Sequence, residues 1–169
     1  MNLRLLLIIT TFTLASNLKM TMAQTRPGLS TDDQEVVPAQ SDDPIGALNN
    51  YYRALNIGEA RTAYKYWENP SQTYEQFMHG FVDTMRVRIL VDPSPQIDGA
   101  AGSTYAKVAS VVISTQRDGS ERVFAGCYVM RRSNVRAEDE PQQKGWRIYS
   151  ASLAPVAGKF STLLSERCK

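Results

Sequence analysis

Histidine is nearly missing from this sequence: His79 is the single one in 169 residues. Cysteine is almost as scarce, with only Cys127 and Cys168. One imidazole and two distant thiols do not make a zinc- or iron-type ligand set, so no metal site is expected. Neither cysteine has a histidine near it in sequence, so neither is expected to act as a nucleophile. Charge of one sign is also lacking. The formal net charge is +2, and the basic residues are scattered among acids with no sustained run, so nucleic-acid binding is not expected. Long apolar runs are missing too. Leu5 to Ala15, LLLIITTFTLA, is too short to span a bilayer, which takes about 20 residues. There are no internal repeats and no cofactor motif, and the length suits one domain.

What is present begins at the N-terminus. Arg4 precedes the apolar run, and Thr21-Met22-Ala23 offers small residues at both cleavage-site positions. Residues 1–23 therefore read as a signal peptide cut after Ala23, with Ala15 or Ser16 as other cut points. No cysteine follows the apolar run to carry a lipid. The expectation is an exported protein, periplasmic or extracellular, with no membrane attachment after cleavage. Residues 24–43 are polar, acidic and proline-containing, and read as a disordered linker. In an oxidising compartment Cys127 and Cys168 are expected to pair. That bridge would pin the C-terminal tail to the sheet and close a loop worth about 4 kcal/mol in the chain-entropy model.

The domain is expected to occupy residues 44–169. Asp43 caps a helix with Pro44 at its first position, and Ile45, Leu48, Tyr52 and Leu55 recur at helical spacing. Gly58 ends it. A second helix is expected over Glu59–Trp67. A third follows, capped by Ser71, with Tyr74, Phe77, Met78 and Phe81 as its stripe. The period then changes. Val87, Ile89 and Val91 alternate with Arg86, Arg88 and Leu90 in a first strand. Asp92-Pro93-Ser94-Pro95 interrupts it, and Asp98 is assigned to a turn. Residues 103–116 read as a long strand, Asp118-Gly119 as a hairpin turn, and Arg122–Arg132 as the return. On that strand Val123, Ala125, Cys127 and Val129 face one way, and Phe124, Tyr128 and Met130 the other. Residues 133–144 form a charged loop. Trp146–Leu153 is the last strand, and Lys159–Cys168 a short tail helix. Three helices followed by antiparallel strands make an α+β domain with segregated helices. A curved sheet of four or more strands over the helix layer leaves a concavity, the default ligand site.

The order of these elements resembles the nuclear transport factor 2-like superfamily, the cone-shaped fold shared with ketosteroid isomerase. The segment NYYRALNIGEARTAYKYW, ending at Trp67, resembles the superfamily's opening helix pair, and Tyr74–Phe81 its third helix. VFAGCYVMRR from Val123, followed by GWRIYSASL from Gly145, resembles its central hairpin. The likeness covers about residues 44–154, and it is greatest to bacterial secreted members. It implies a ligand held inside the cone. Enzymes of the superfamily place a carboxylate or histidine there, often with a tyrosine as donor. Asp83 is the weak candidate for a base, with Tyr51, Tyr52 or Tyr64 as donor; His79 reads as a surface or partly buried helical residue. The aromatics Tyr52, Tyr64, Trp67, Phe77, Phe81, Phe124 and Tyr128 are the candidate pocket, although the same spacing suits a plain core. Arg86, Arg88, Arg131, Arg132 and Arg147 form a candidate anion site or a solvated face. The ranked expectations are a non-catalytic domain binding a small apolar ligand or a partner protein, then an isomerase- or dehydratase-type enzyme, then a dimerising structural module.

Overall fold

A proline at the first helical position removes an N–H that no helix could satisfy, and a preceding aspartate can satisfy the next ones. The computed structural model shows this at α1, Pro44–Asn56, where the Asp43 carboxylate accepts from the Gly46 N–H at 2.7 Å. The model describes residues 41–134, 145–157 and Cys168. The chain divides into two units, 1–34 and 35–169, and every described residue belongs to the second. The signal peptide, most of the linker, most of the 133–144 loop and the tail helix short of Cys168 lie outside the described residues.

Helix α1 buries Ala47, Leu48, Tyr51, Tyr52 and Ala54, a broader face than the expected stripe. It closes at Gly58, whose φ of +81° a side chain would resist. Helix α2 spans only Ala60–Tyr64, shorter than expected. The reason is competition from the sheet. The Ile148 N–H donates to the Tyr66 carbonyl at 2.7 Å, and the Glu68 N–H donates to the Ile148 carbonyl at 3.0 Å. Residues 66–68 thus leave the helix and line the sheet's last strand. Helix α3, Tyr74–His79, is capped by Thr73 rather than Ser71. The Thr73 hydroxyl accepts from the Gln76 N–H, while the Gln76 side chain accepts from the Thr73 N–H, a reciprocal capping box.

Five strands follow: β1 Thr84–Val91, β2 Gln96–Ala100, β3 Ser103–Gln116, β4 Glu121–Ser133 and β5 Arg147–Pro155. All named strand pairs are antiparallel. The sheet runs β1-β3-β4-β5, with β2 also on β3. β1 pairs with the second half of β3 and β2 with the first half. They form one edge, interrupted where Pro93 and Pro95 cannot donate to a ladder. Asp98 therefore lies in a strand, opposite Tyr105, and not in a turn. The β3–β4 hairpin turns at Gly119, φ +83°. The Asp118 carboxylate accepts from the Ser120 N–H and hydroxyl at 2.9 and 2.7 Å, an Asx-type turn.

The helices cover one face of the sheet. Leu48, Phe77, Val108, Met130 and Ile148 sit in that core with essentially no exposure. A fully buried side chain of this size contributes about 1.5–3 kcal/mol. Asn56 ties α1 to the free edge of β1. Its amide donates to the Val87 carbonyl and accepts from the Val87 N–H, both at 2.8 Å, so a side chain replaces the missing neighbour strand there. On the outer face a second cluster, Val111, Ile113 and Ala125, packs with Val123 and Val156. At Gly126 the two strands approach so closely that an added Cβ would lie 1.8 Å from the Ser152 carbonyl oxygen.

Cys127 on β4 is bonded to Cys168, 41 residues further along. Strand alternation puts Cys127 on the same face as Ala125. The bridge therefore joins the end of the chain to the outer face, and it fits an oxidising compartment. Among the described residues no helix is long and apolar enough to cross a membrane. Reducing the bridge, or replacing both cysteines by serine, is expected to lower unfolding free energy by up to about 4 kcal/mol. A urea midpoint unmoved by reduction would contradict this.

Candidate functional site

Tyrosine joins a large apolar ring to one polar atom, so a buried tyrosine must find a partner for its hydroxyl. Tyr52 of α1 and Tyr128 of β4 solve this together. Their hydroxyls are 2.5 Å apart, and the rings meet edge to face at 6.4 Å. Both residues are buried. Tyr51 packs edge to face on Tyr52 at 4.8 Å.

Above this pair opens a cavity of about 350 Å³, within the range that holds small ligands. Its apolar wall comprises Phe81, Val87, Val112, Phe124 and Leu153. Thr84, Ser114, Gln116 and Arg122 form a polar group at its rim, with Gly80. Gly80 and Arg122 are exposed while Tyr52 and Tyr128 are buried, so the opening lies at the Arg122 side. Gln116 is buried and donates through Nε2 to the Ser114 hydroxyl at 2.7 Å. The Thr84 and Ser114 hydroxyls are 3.4 Å apart. Strand alternation assembles the wall: Val112, Ser114 and Gln116 share one face of β3, and Arg122, Phe124 and Tyr128 one face of β4.

Of the expected pocket residues, Tyr52, Phe81, Phe124 and Tyr128 line this cavity, while Tyr64, Trp67 and Phe77 do not. Tyr64 packs between Tyr74 and Phe77, and its hydroxyl donates to the Gln72 carbonyl at 2.6 Å. Phe77 is core, 2% exposed. Trp67 stands edge-on to Tyr51, next to β5. Asp83 is exposed and is not among the lining residues. His79 is exposed on α3. Tyr51, Val112, Ser114, Gln116 and Arg122 were reachable by extending the even-numbered faces of β3 and β4 and the inner face of α1, and Val87 by extending the inward face of β1. The polar ones carry no signal in an apolarity count.

The five arginines do not converge on one site. Arg88 pairs with Glu121 at 3.0 Å. Arg131 pairs with Glu68 and also donates to the Ser103 hydroxyl at 2.8 Å. Arg132 stacks over Trp146. Arg147 donates to the Lys65 and Trp67 carbonyls, and Arg86 is exposed on β1. Among the described residues no group of three His, Cys, Asp or Glu side chains is placed to hold a metal.

Burial pushes the Tyr128 phenol up to about 12, against a weaker opposing effect of its bond to Tyr52. Tyr52 and Tyr51 are also raised, first by burial and then by the nearby Tyr128. At neutral pH all three are therefore uncharged hydrogen-bonding groups and not bases. The cavity presents neutral hydroxyls at its floor, apolar walls and a single guanidinium among its lining residues.

Three solved structures similar to this chain can be placed beside it. A nuclear transport factor 2-like superfamily protein from Salmonella enterica serovar Typhimurium has a TM-score of 0.47 at 14% identity, covering 67% of this chain and 88% of its own. A ketosteroid isomerase-like protein from Erwinia carotovora atroseptica has a TM-score of 0.47 at 11% identity, with 68% and 95% covered. A conserved protein from Planctomyces limnophilus has a TM-score of 0.46 at 9% identity, with 66% and 94% covered. No protein-family model matches the chain, and no curated protein matches it by sequence. The side chains of the cavity are this chain's own.

Removing one hydroxyl of the buried pair strands the other. Tyr52→Phe and Tyr128→Phe are each expected to cost about 1–3 kcal/mol. The double variant should cost clearly less than their sum; additive losses in urea unfolding would show that the hydroxyls do not interact. The pH dependence has a definite direction. The unfolded chain loses these protons near pH 10, the folded one only towards about 12 or above. Their contribution is constant below pH 10, and stability falls as pH rises through that window. A urea midpoint that holds steady from pH 9 to 12, two bounds chosen to bracket about that window, would contradict the buried placement.

Proposed function

We propose that this domain is a non-catalytic binding module that holds a small, mainly apolar ligand in the cavity between α1 and the sheet. The observation that carries this reading is the lining itself: apolar walls over a floor of buried, neutral tyrosines. Proton abstraction needs a base within hydrogen-bond reach of the substrate, with an affinity matched to working pH. None of the described lining residues is a carboxylate or an imidazole, and the phenols are raised far above neutrality. The isomerase reading needs Asp83 as base, and Asp83 is exposed. The binding reading is therefore the better supported.

The module works outside the cytoplasm in this account. Residues 1–23 act as a cleaved export signal, and residues 24–43 as a spacer ahead of Pro44. The Cys127–Cys168 bridge supports an oxidising destination.

A thermal-shift panel of small aromatic and aliphatic compounds should raise the melting temperature for apolar members. Leu153→Trp, which fills the cavity from β5, should remove that shift while leaving the far-ultraviolet circular dichroism spectrum intact. Native mass spectrometry should show bound compounds unchanged in mass. Chemical turnover of a bound compound would contradict the non-catalytic part, and an undiminished shift in Leu153→Trp would contradict the location.

A further inference from the structure

The cavity's polar residues are not spread around it. Ser114 and Gln116 lie two apart on one face of β3. Arg122 is opposite Ser114 in the β3–β4 register, and Thr84 is opposite Gln116 in the β1–β3 register. The four side chains thus meet where the three strands run side by side, at the hairpin end of the sheet. Ser114 is 8% and Gln116 5% exposed, so half of this group is buried polar surface facing the cavity. Such surface is costly unless hydrogen-bonded. Gln116 Nε2 is satisfied by Ser114, whereas Gln116 Oε1 makes no hydrogen bond among the described residues.

Among the described residues Arg122 is the only charged one in the lining. The carboxylates beside it in the chain are engaged elsewhere. Glu121 is paired with Arg88 at 3.0 Å. Asp118 is held first by its two bonds from Ser120, with Arg122 only a weak influence on it. Among the described residues Arg122 forms no ion pair and no hydrogen bond through its side chain. A guanidinium presents a planar fork that matches a carboxylate with two parallel bonds. The buried end of the cavity offers aromatic edges and faces from Tyr51, Tyr52 and Tyr128, with Phe81 and Phe124 on the walls above them.

Resting on the binding reading above, we infer that the ligand is an aromatic carboxylate. Its ring lies against Phe81, Phe124 and the tyrosine floor, and its carboxylate meets Arg122 at the rim. The hydroxyls of Thr84 and Ser114 border the same place and can donate to the second carboxylate oxygen. Polarity fixes the orientation: the charged end stays at the exposed rim, where its desolvation is least costly, and the ring takes the buried end.

The test compares naphthoate with naphthylmethanol, which has the same ring system and no charge. Affinities are measured by isothermal titration calorimetry on the protein carrying its Cys127–Cys168 bridge. The acid is expected to bind about tenfold or more tightly than the alcohol. In Arg122→Gln, a change at an exposed position that leaves the core untouched, that preference should vanish while the alcohol's affinity stays within about twofold. Equal affinities in the unmodified protein, or a preference that survives Arg122→Gln, would overturn the carboxylate assignment and leave the cavity reading standing. Binding of neither compound would overturn both.

Discussion

Two phenol hydroxyls 2.5 Å apart hold the helix layer to the sheet in the interior of this domain. Tyr52 comes from the third turn of α1 and Tyr128 from the middle of β4, 76 residues later. Neither hydroxyl can leave the other without losing its partner in a place that water does not freely reach. This fixes the distance between α1 and β4, and with it the depth of the cavity. Everything nearer the rim then follows from strand geometry. Gly126 lets β5 approach β4 closely, and Asn56 stitches the end of α1 to β1. The concavity is bounded on both sides by contacts that side-chain identity dictates.

The same bond shapes the chemistry of the site. A buried phenol pair is hard to ionise, so it donates and accepts hydrogen bonds without taking up charge at neutral pH. The floor is polar in two atoms and apolar elsewhere. Among the described lining residues charge enters at the rim, through Arg122. A gradient from an uncharged aromatic floor to a cationic rim orders a ligand that is itself apolar at one end and anionic at the other. Among the described lining residues the ionisable groups are a guanidinium, which stays protonated, and phenols pushed away from neutral titration.

Much of this frame is legible in the sequence. The Asp43–Pro44 start, the Gly58 stop, the turn at Asp118-Gly119 and both long strands are local effects, and local chemistry decides them. The errors fall where a distant element wins. Helical spacing carried α2 through Trp67, but Ile148 on β5 captures residues 66–68. Asp98-Gly99 has turn-like composition, yet pairing with β3 draws it into a strand. The cavity was half legible for a related reason. Tyr64, Trp67 and Phe77 share the periodicity of true lining residues, because spacing identifies a buried face but not which neighbour that face meets. Ser114, Gln116 and Arg122 escaped notice because a polar residue on an inward face looks, in sequence, like a break in the pattern. Asp83 drew attention by its place at the junction of the third helix and the first strand, where the resemblance implies a base, and its side chain is exposed.

The central claim is that a ligand sits over the tyrosine floor and not on the outer surface. Tyrosine-ring nuclear magnetic resonance reads this directly, because Tyr52 and Tyr128 mark the cavity floor while Tyr149, 47% exposed and packed on Tyr105, marks the surface. On titration with naphthoate, the ring signals of Tyr52 and Tyr128 should shift saturably while that of Tyr149 stays in place. Movement of Tyr149 and Tyr105 with Tyr52 and Tyr128 unchanged would contradict the account.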